Sequence, residues 1–85
     1  MTDSKSNLRS SIVDAINKVR TDTGRNAIEP EDNHTLTGEI GLDSLDLAVL
    51  VVTLQKALGV DPFRDGSATA RTLAELVEVY QQSVS

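Results

Sequence analysis

Apolar residues recur along this chain at helical spacing in three stretches, and nowhere do they alternate in the two-residue rhythm of a strand. Leu8, Ile12, Ala15, Ile16 and Val19 share one face of the first stretch, with Arg9, Asp14, Lys18 and Arg20 expected to turn outward. This predicts a helix over about residues 6–22, closed by Gly24. Residues 45–58 form a long apolar run stopped by Gly59 and Pro62, which predicts a helix over about 44–58, roughly 22 Å long. The third stretch opens with Thr72-Leu73-Ala74-Glu75, a capping box in which the Thr and Glu side chains each satisfy a backbone N–H of the first turn. Leu73, Leu76, Val77 and Tyr80 then form one apolar face, predicting a helix over about 72–82.

Residues 24–42 have no sustained period, and Pro30 obstructs helix continuation. A loop of this length inside a small domain needs anchoring. Ile28, Leu36, Ile40 and Leu42 are spaced to pin it across helix ends. Residues 60–71 read as a turn with one short helix, about 62–68, and with Phe63 tucked inward. The expectation is an all-α four-helix bundle, three main helices plus one short one, in a single domain over residues 1–85.

Size and composition narrow the chemistry. With 85 residues there is room for one core and little for a deep pocket, which takes on the order of several hundred Å³. There is no cysteine, which excludes disulfides, thiolate metal sites and a cysteine nucleophile. The opening six residues lack the apolar segment of a secretory signal, and no apolar stretch reaches the roughly 18 residues of a membrane span. A cytoplasmic protein without membrane insertion is expected.

The net charge of −5 is unevenly placed. Residues 1–25 carry five basic and three acidic groups, whereas residues 26–66 carry two basic and eight acidic. An acidic middle with only Phe63 and Tyr80 as aromatics argues against nucleic acid, and favours partners with basic surfaces. The alternative is an acidic surface that serves solubility alone.

Candidate catalytic and metal sites fail on their spacing. A hydrolase serine elbow needs glycine two residues after Ser44, where Asp46 stands. The lone histidine, His34, lies in the long loop, and Glu29, Glu31, Asp32 and His34 match no ligand motif. A calcium loop from Asp61 to Thr72 fails at its third and twelfth positions, Phe63 and Thr72. No enzyme is expected.

What stands out is Ser44, at the start of the longest apolar helix in Gly41-Leu42-Asp43-Ser44-Leu45-Asp46. One reading has Asp43 or Ser44 capping the helix and Asp46 favouring the positive end of its dipole. The other makes the exposed Ser44 hydroxyl an attachment point for a phosphate-linked group, which the helix start would accommodate. The two are compatible.

This hexapeptide resembles the G-x-D-S-L motif of acyl carrier proteins, with the usual acid following. The resemblance extends through the order of helices and the long loop to near Tyr80. It implies 4′-phosphopantetheine esterified to Ser44, with Asp43 assisting the phosphopantetheinyl transferase, and a thiol on the arm carrying acyl groups as thioesters. It also implies a monomer visited by an acyl-loading enzyme, a ketosynthase and other acyl-processing enzymes of fatty-acid, lipid or polyketide-type biosynthesis. Such partners are usually recognised through the second helix, whose outer face here is expected to hold Leu45, Asp46, Val49, Val52, Thr53 and Lys56. Ala48, Leu50, Val51, Leu54 and Leu58 are expected to face inward. Fatty-acid carriers typically have glutamates at the positions of Val49, Gln55 and Lys56; this chain has none there. That departure suggests a dedicated pathway with more apolar docking. An aminoacyl or peptidyl carrier remains open, although Leu42-Asp43 stands where those usually show a second glycine. So does an unmodified helical interaction module that uses the same apolar stripe.

Overall fold

A computed structural model describes residues 4–64 and 69–84. They form three helices, α1 (Ser4–Asp22), α2 (Ser44–Leu58) and α3 (Leu73–Val84), and no strand beyond an isolated bridge between Thr35 and Thr72. The helices are those the apolar spacing predicts, with α1 starting two residues earlier and α3 ending two later. Residues 62–64 form a turn, so the short helix expected over 62–68 is not seen there, and residues 65–68 lie outside the described ones.

The core is aliphatic. Ile12 and Ile16 of α1, Leu50 and Leu54 of α2, and Leu73 and Tyr80 of α3 are all essentially inaccessible to solvent. α1 packs against both other helices, while α2 and α3 meet each other much less. Thus α1 is the spine, and the α2–α3 seam is thinly closed.

The long loop is tied down along its length. Leu36, Ile40 and Leu42 are buried, and Ile28 packs half-buried against the core. Polar residues of α1 fasten its backbone. Asn17 makes a reciprocal pair with Ile28, Nδ2 donating to its carbonyl and Oδ1 accepting from its N–H, both at 2.8 Å. Arg9 Nη2 donates to the Pro30 carbonyl at 3.0 Å, and Arg20 Nη1 donates to the Ile40 carbonyl at 2.6 Å. Arg9 and Arg20 were expected to face solvent; instead the loop half-covers them, because its carbonyls need donors and α1 is the nearest source. On its other side the loop is strapped to the start of α3, where Leu36 N–H donates to the Arg71 carbonyl and Leu73 N–H to that of His34.

Both predicted helix stops on α1 and α2 are built as expected. Gly59 follows α2 at φ 76° and its N–H donates to the Gln55 carbonyl at 2.8 Å, a left-handed cap that a side chain would strain. At α3, Thr72 Oγ1 accepts from Glu75 N–H at 3.2 Å while Glu75 Oε1 accepts from Thr72 N–H at 3.2 Å. Thr72 is therefore the cap, and the helix proper begins at Leu73.

Candidate functional site

The start of α2 is organised by two aspartates and an arginine. Asp43 is the N-cap: its Oδ1 accepts from Asp46 N–H at 2.8 Å, and Asp46 Oδ2 accepts from Asp43 N–H at 3.1 Å. This capping box uses Asp at both ends, where the common form is Ser/Thr with Glu/Gln. Arg25, from the beginning of the long loop, completes the arrangement. Its Nη2 donates to Asp46 Oδ2 at 2.8 Å and its Nη1 to the Gly41 carbonyl at 2.6 Å.

Asp46 is consequently buried, at 6% exposure, and does not lie on the outer face where the helical projection puts it. The cap draws its carboxylate back over the helix end. Hydrogen bonding from the Asp43 N–H, reinforced by the Arg25 guanidinium, holds the Asp46 carboxyl below its ordinary range despite the opposing cost of desolvation. Arg25 and Arg20 had no local signal, since their partners lie 21 and 20 residues away in sequence. Asp43-x-x-Asp46 was the readable clue to the cap.

Ser44 occupies the first helical position, after the cap. It is exposed, and because Asp43 does the capping its hydroxyl is not engaged in that role. The N–H groups of a first turn have no acceptor within their own helix and present a positive end to any anion there. Leu45, Val49 and Val52 follow on the exposed side of α2, at 72%, 46% and 49% accessibility, with Lys56 exposed beyond them. Thr53 is half-buried, its hydroxyl donating to the Val49 carbonyl at 2.8 Å. Ala48, expected inside, is exposed; its small side chain lies at the edge of a groove beside the core.

That groove is larger than a chain of this size was expected to afford. It has a volume of about 800 Å³, and Ser44 is among the residues that line it. It passes Leu47, Leu50, Val51 and Leu54 of α2 and reaches Leu76 and Tyr80 of α3, with Phe63 also in its wall. The thin α2–α3 seam explains it: the core is kept by packing on α1, and the space opens where the other two helices diverge. Phe63 and Tyr80 meet edge to face, ring centres 5.9 Å apart and planes at 70°. Among the described residues no cluster of His, Cys, Asp and Glu could hold a metal ion. No helix there is long and apolar enough to cross a membrane.

The start of α2 thus sets an exposed serine on a capped helix end beside a largely apolar groove. A family model described as the phosphopantetheine attachment site matches residues 15–79, more than half of the chain, and the protein belongs to that family. The group that family carries covalently is 4′-phosphopantetheine, and the chain has a phosphopantetheine-carrier role. No curated protein and no solved structure matches the chain significantly.

Proposed function

We propose that the protein is an acyl carrier in which Ser44 bears 4′-phosphopantetheine. The observation that carries this reading is the exposed Ser44 hydroxyl at the first position of α2, released from capping by Asp43 and lining a largely apolar groove. The residues fit such a group. A phosphodiester on Ser44 would meet the N–H groups and positive dipole end of α2, and the groove supplies an apolar lining for an acyl chain. When bound, the arm supplies a thiol that holds the acyl group as a thioester.

The chain's own residues present and protect. Asp43 holds the helix start in place and offers a carboxylate beside Ser44 for the phosphopantetheinyl transferase and its divalent metal. Arg25 and Asp46 keep that turn in one geometry. Tethering raises the local concentration of cargo at each enzyme visited, the benefit of any linked pair. The aliphatic groove favours acyl over aminoacyl cargo.

The partner face in this reading is Leu45, Val49 and Val52, with Lys56 at its far end. Asp46 is withdrawn from it. Its occupants are acyl-processing enzymes with a matching apolar surface, in a pathway separate from general fatty-acid synthesis. Incubation with coenzyme A and a broad-specificity phosphopantetheinyl transferase should raise the intact mass of the wild type and not of Ser44→Ala. An unchanged wild-type mass would sink the carrier assignment of Ser44.

A further inference from the structure

The groove between α2 and α3 is lined mainly by apolar residues, with Thr35, Thr37, Thr69 and Arg71 adding polar groups from the flanking segments. Tyr80 is fully buried there, and its hydroxyl has no hydrogen-bond partner among the described residues. A buried hydroxyl without a partner works against folding, and such groups are uncommon enough to need a reason. The edge-to-face contact with Phe63 helps hold the phenol ring in place, so its hydroxyl does not readily swing out to solvent.

The surroundings define what this hydroxyl can do. Burial, with a smaller contribution from the nearby Asp61 carboxylate, pushes the phenol up to about 12, so it remains a donor at neutral pH. Asp61 itself accepts from the Phe63 N–H at 3.1 Å. Its negative charge makes the neighbourhood unfavourable for a second anion and neutral for an uncharged oxygen.

We propose that Tyr80 recognises cargo, its hydroxyl donating a hydrogen bond to a neutral oxygen, ketone or hydroxyl, carried on the acyl chain lodged in the groove. The proposal rests on the acyl-carrier reading of Ser44. A saturated chain fills the groove and leaves the Tyr80 hydroxyl unpaired. A chain with one oxygen at the right depth pairs it, and a chain ending in a carboxylate is opposed by Asp61. Selectivity thus comes from relieving a buried unpaired donor, a stronger discriminator than shape in an aliphatic pocket.

Tyr80 is the chain's one tyrosine, so a ring-labelled sample gives one signal from the residue in question. The protein would be made with carbon-13 at the tyrosine Cζ. It would then be loaded by a phosphopantetheinyl transferase with eight-carbon acyl groups: saturated, bearing one ketone at carbon 3, 5 or 7, or ending in a carboxylate. At least one ketone cargo should move the Cζ resonance away from its position with the saturated chain. The same cargo should hydrolyse about two- to tenfold more slowly on the wild type than on Tyr80→Phe, the range one net hydrogen bond supports. Identical resonances for all cargoes, the behaviour of a hydroxyl served by solvent, would overturn the proposal. So would a carboxylate cargo shifting the signal as far as a ketone. If Tyr80→Phe does not fold, the wild-type resonances decide alone. Failure of the loading step itself, seen as no mass gain, would overturn the carrier reading, whereas loading with a flat response overturns only the role of Tyr80.

Discussion

Asp43 and Ser44 divide two tasks that one residue often combines. Asp43 caps the helix, and Ser44 next to it is exposed. Replacing Asp43 by Ala should cost about 1 kcal/mol, the usual worth of an N-cap, and lower the melting temperature by about 4–8 °C for a domain of this size. Thermal unfolding followed by circular dichroism reads this directly. Asp46 gives a prediction in pH. Its carboxyl lies below its ordinary range in the folded chain, so its contribution to stability is complete above the unfolded value, at about pH 4 and upward. It is lost as the pH falls through the folded value. Asp46→Asn should therefore be less stable than the wild type at pH 7, with the gap narrowing below about pH 4. A constant gap across that range would show that the ionised carboxylate, held by the Asp43 N–H and Arg25, is not what Asp46 contributes. The hexapeptide around Ser44 was legible because its signals are adjacent in sequence. The Arg25–Asp46 pair was not, because it depends on where a loop returns, and no local pattern encodes that. The misplacement of Asp46 has a simple cause as well: helical projection applies to free side chains, and a capping carboxylate is drawn back over the helix end.

At the scale of elements, periodicity located all three helices, and the stop and start residues set their ends within two positions. It did less well on polar faces. Arg9 and Arg20 looked solvent-facing because a helical wheel knows nothing of the loop that lies over them. The exposed stripe of α2 is the element with most to say about partners. Val49→Glu places an acid where fatty-acid carriers typically have one, on a position 46% exposed, so the fold should tolerate it. Binding to a fatty-acid ketosynthase should strengthen and become steeply salt-dependent, while binding to the chain's own pathway enzyme weakens by about tenfold, a moderate interface contact. Titrations at two salt concentrations test both. Equal, steeply salt-dependent binding of the wild type to the fatty-acid enzyme would remove the case for a dedicated pathway. At the other end of α2, Gly59→Ala puts a side chain at φ 76° with no steric neighbour, so only backbone strain should appear, about 1 kcal/mol in chemical denaturation.

As a whole molecule the protein has little stability to spare. A domain of 85 residues holds about 4–13 kcal/mol in total. Ile16→Ala, at a fully buried site on the spine helix, should remove about 2–5 kcal/mol and leave a chain partly unfolded at physiological temperature. Loss of helical circular dichroism on mild heating would register it. The radius of gyration, 12.0 Å, is what a compact chain of this length has, so the groove is obtained without loosening the whole. Its existence was not legible beforehand. Apolar periodicity says which faces are buried, but not how closely two buried faces approach. The asymmetry of that packing has a mechanical consequence. Arg20 and Arg25 clamp the segment that leads into α2, and α1 packs against the helix, while the side toward α3 is barely fastened. A rod pinned at its root yields least at the pin and most toward its tip. On the proposed carrier reading, widening the gap for a bulky passenger would swing Leu58 more than Ser44, so the proposed attachment point would keep its position.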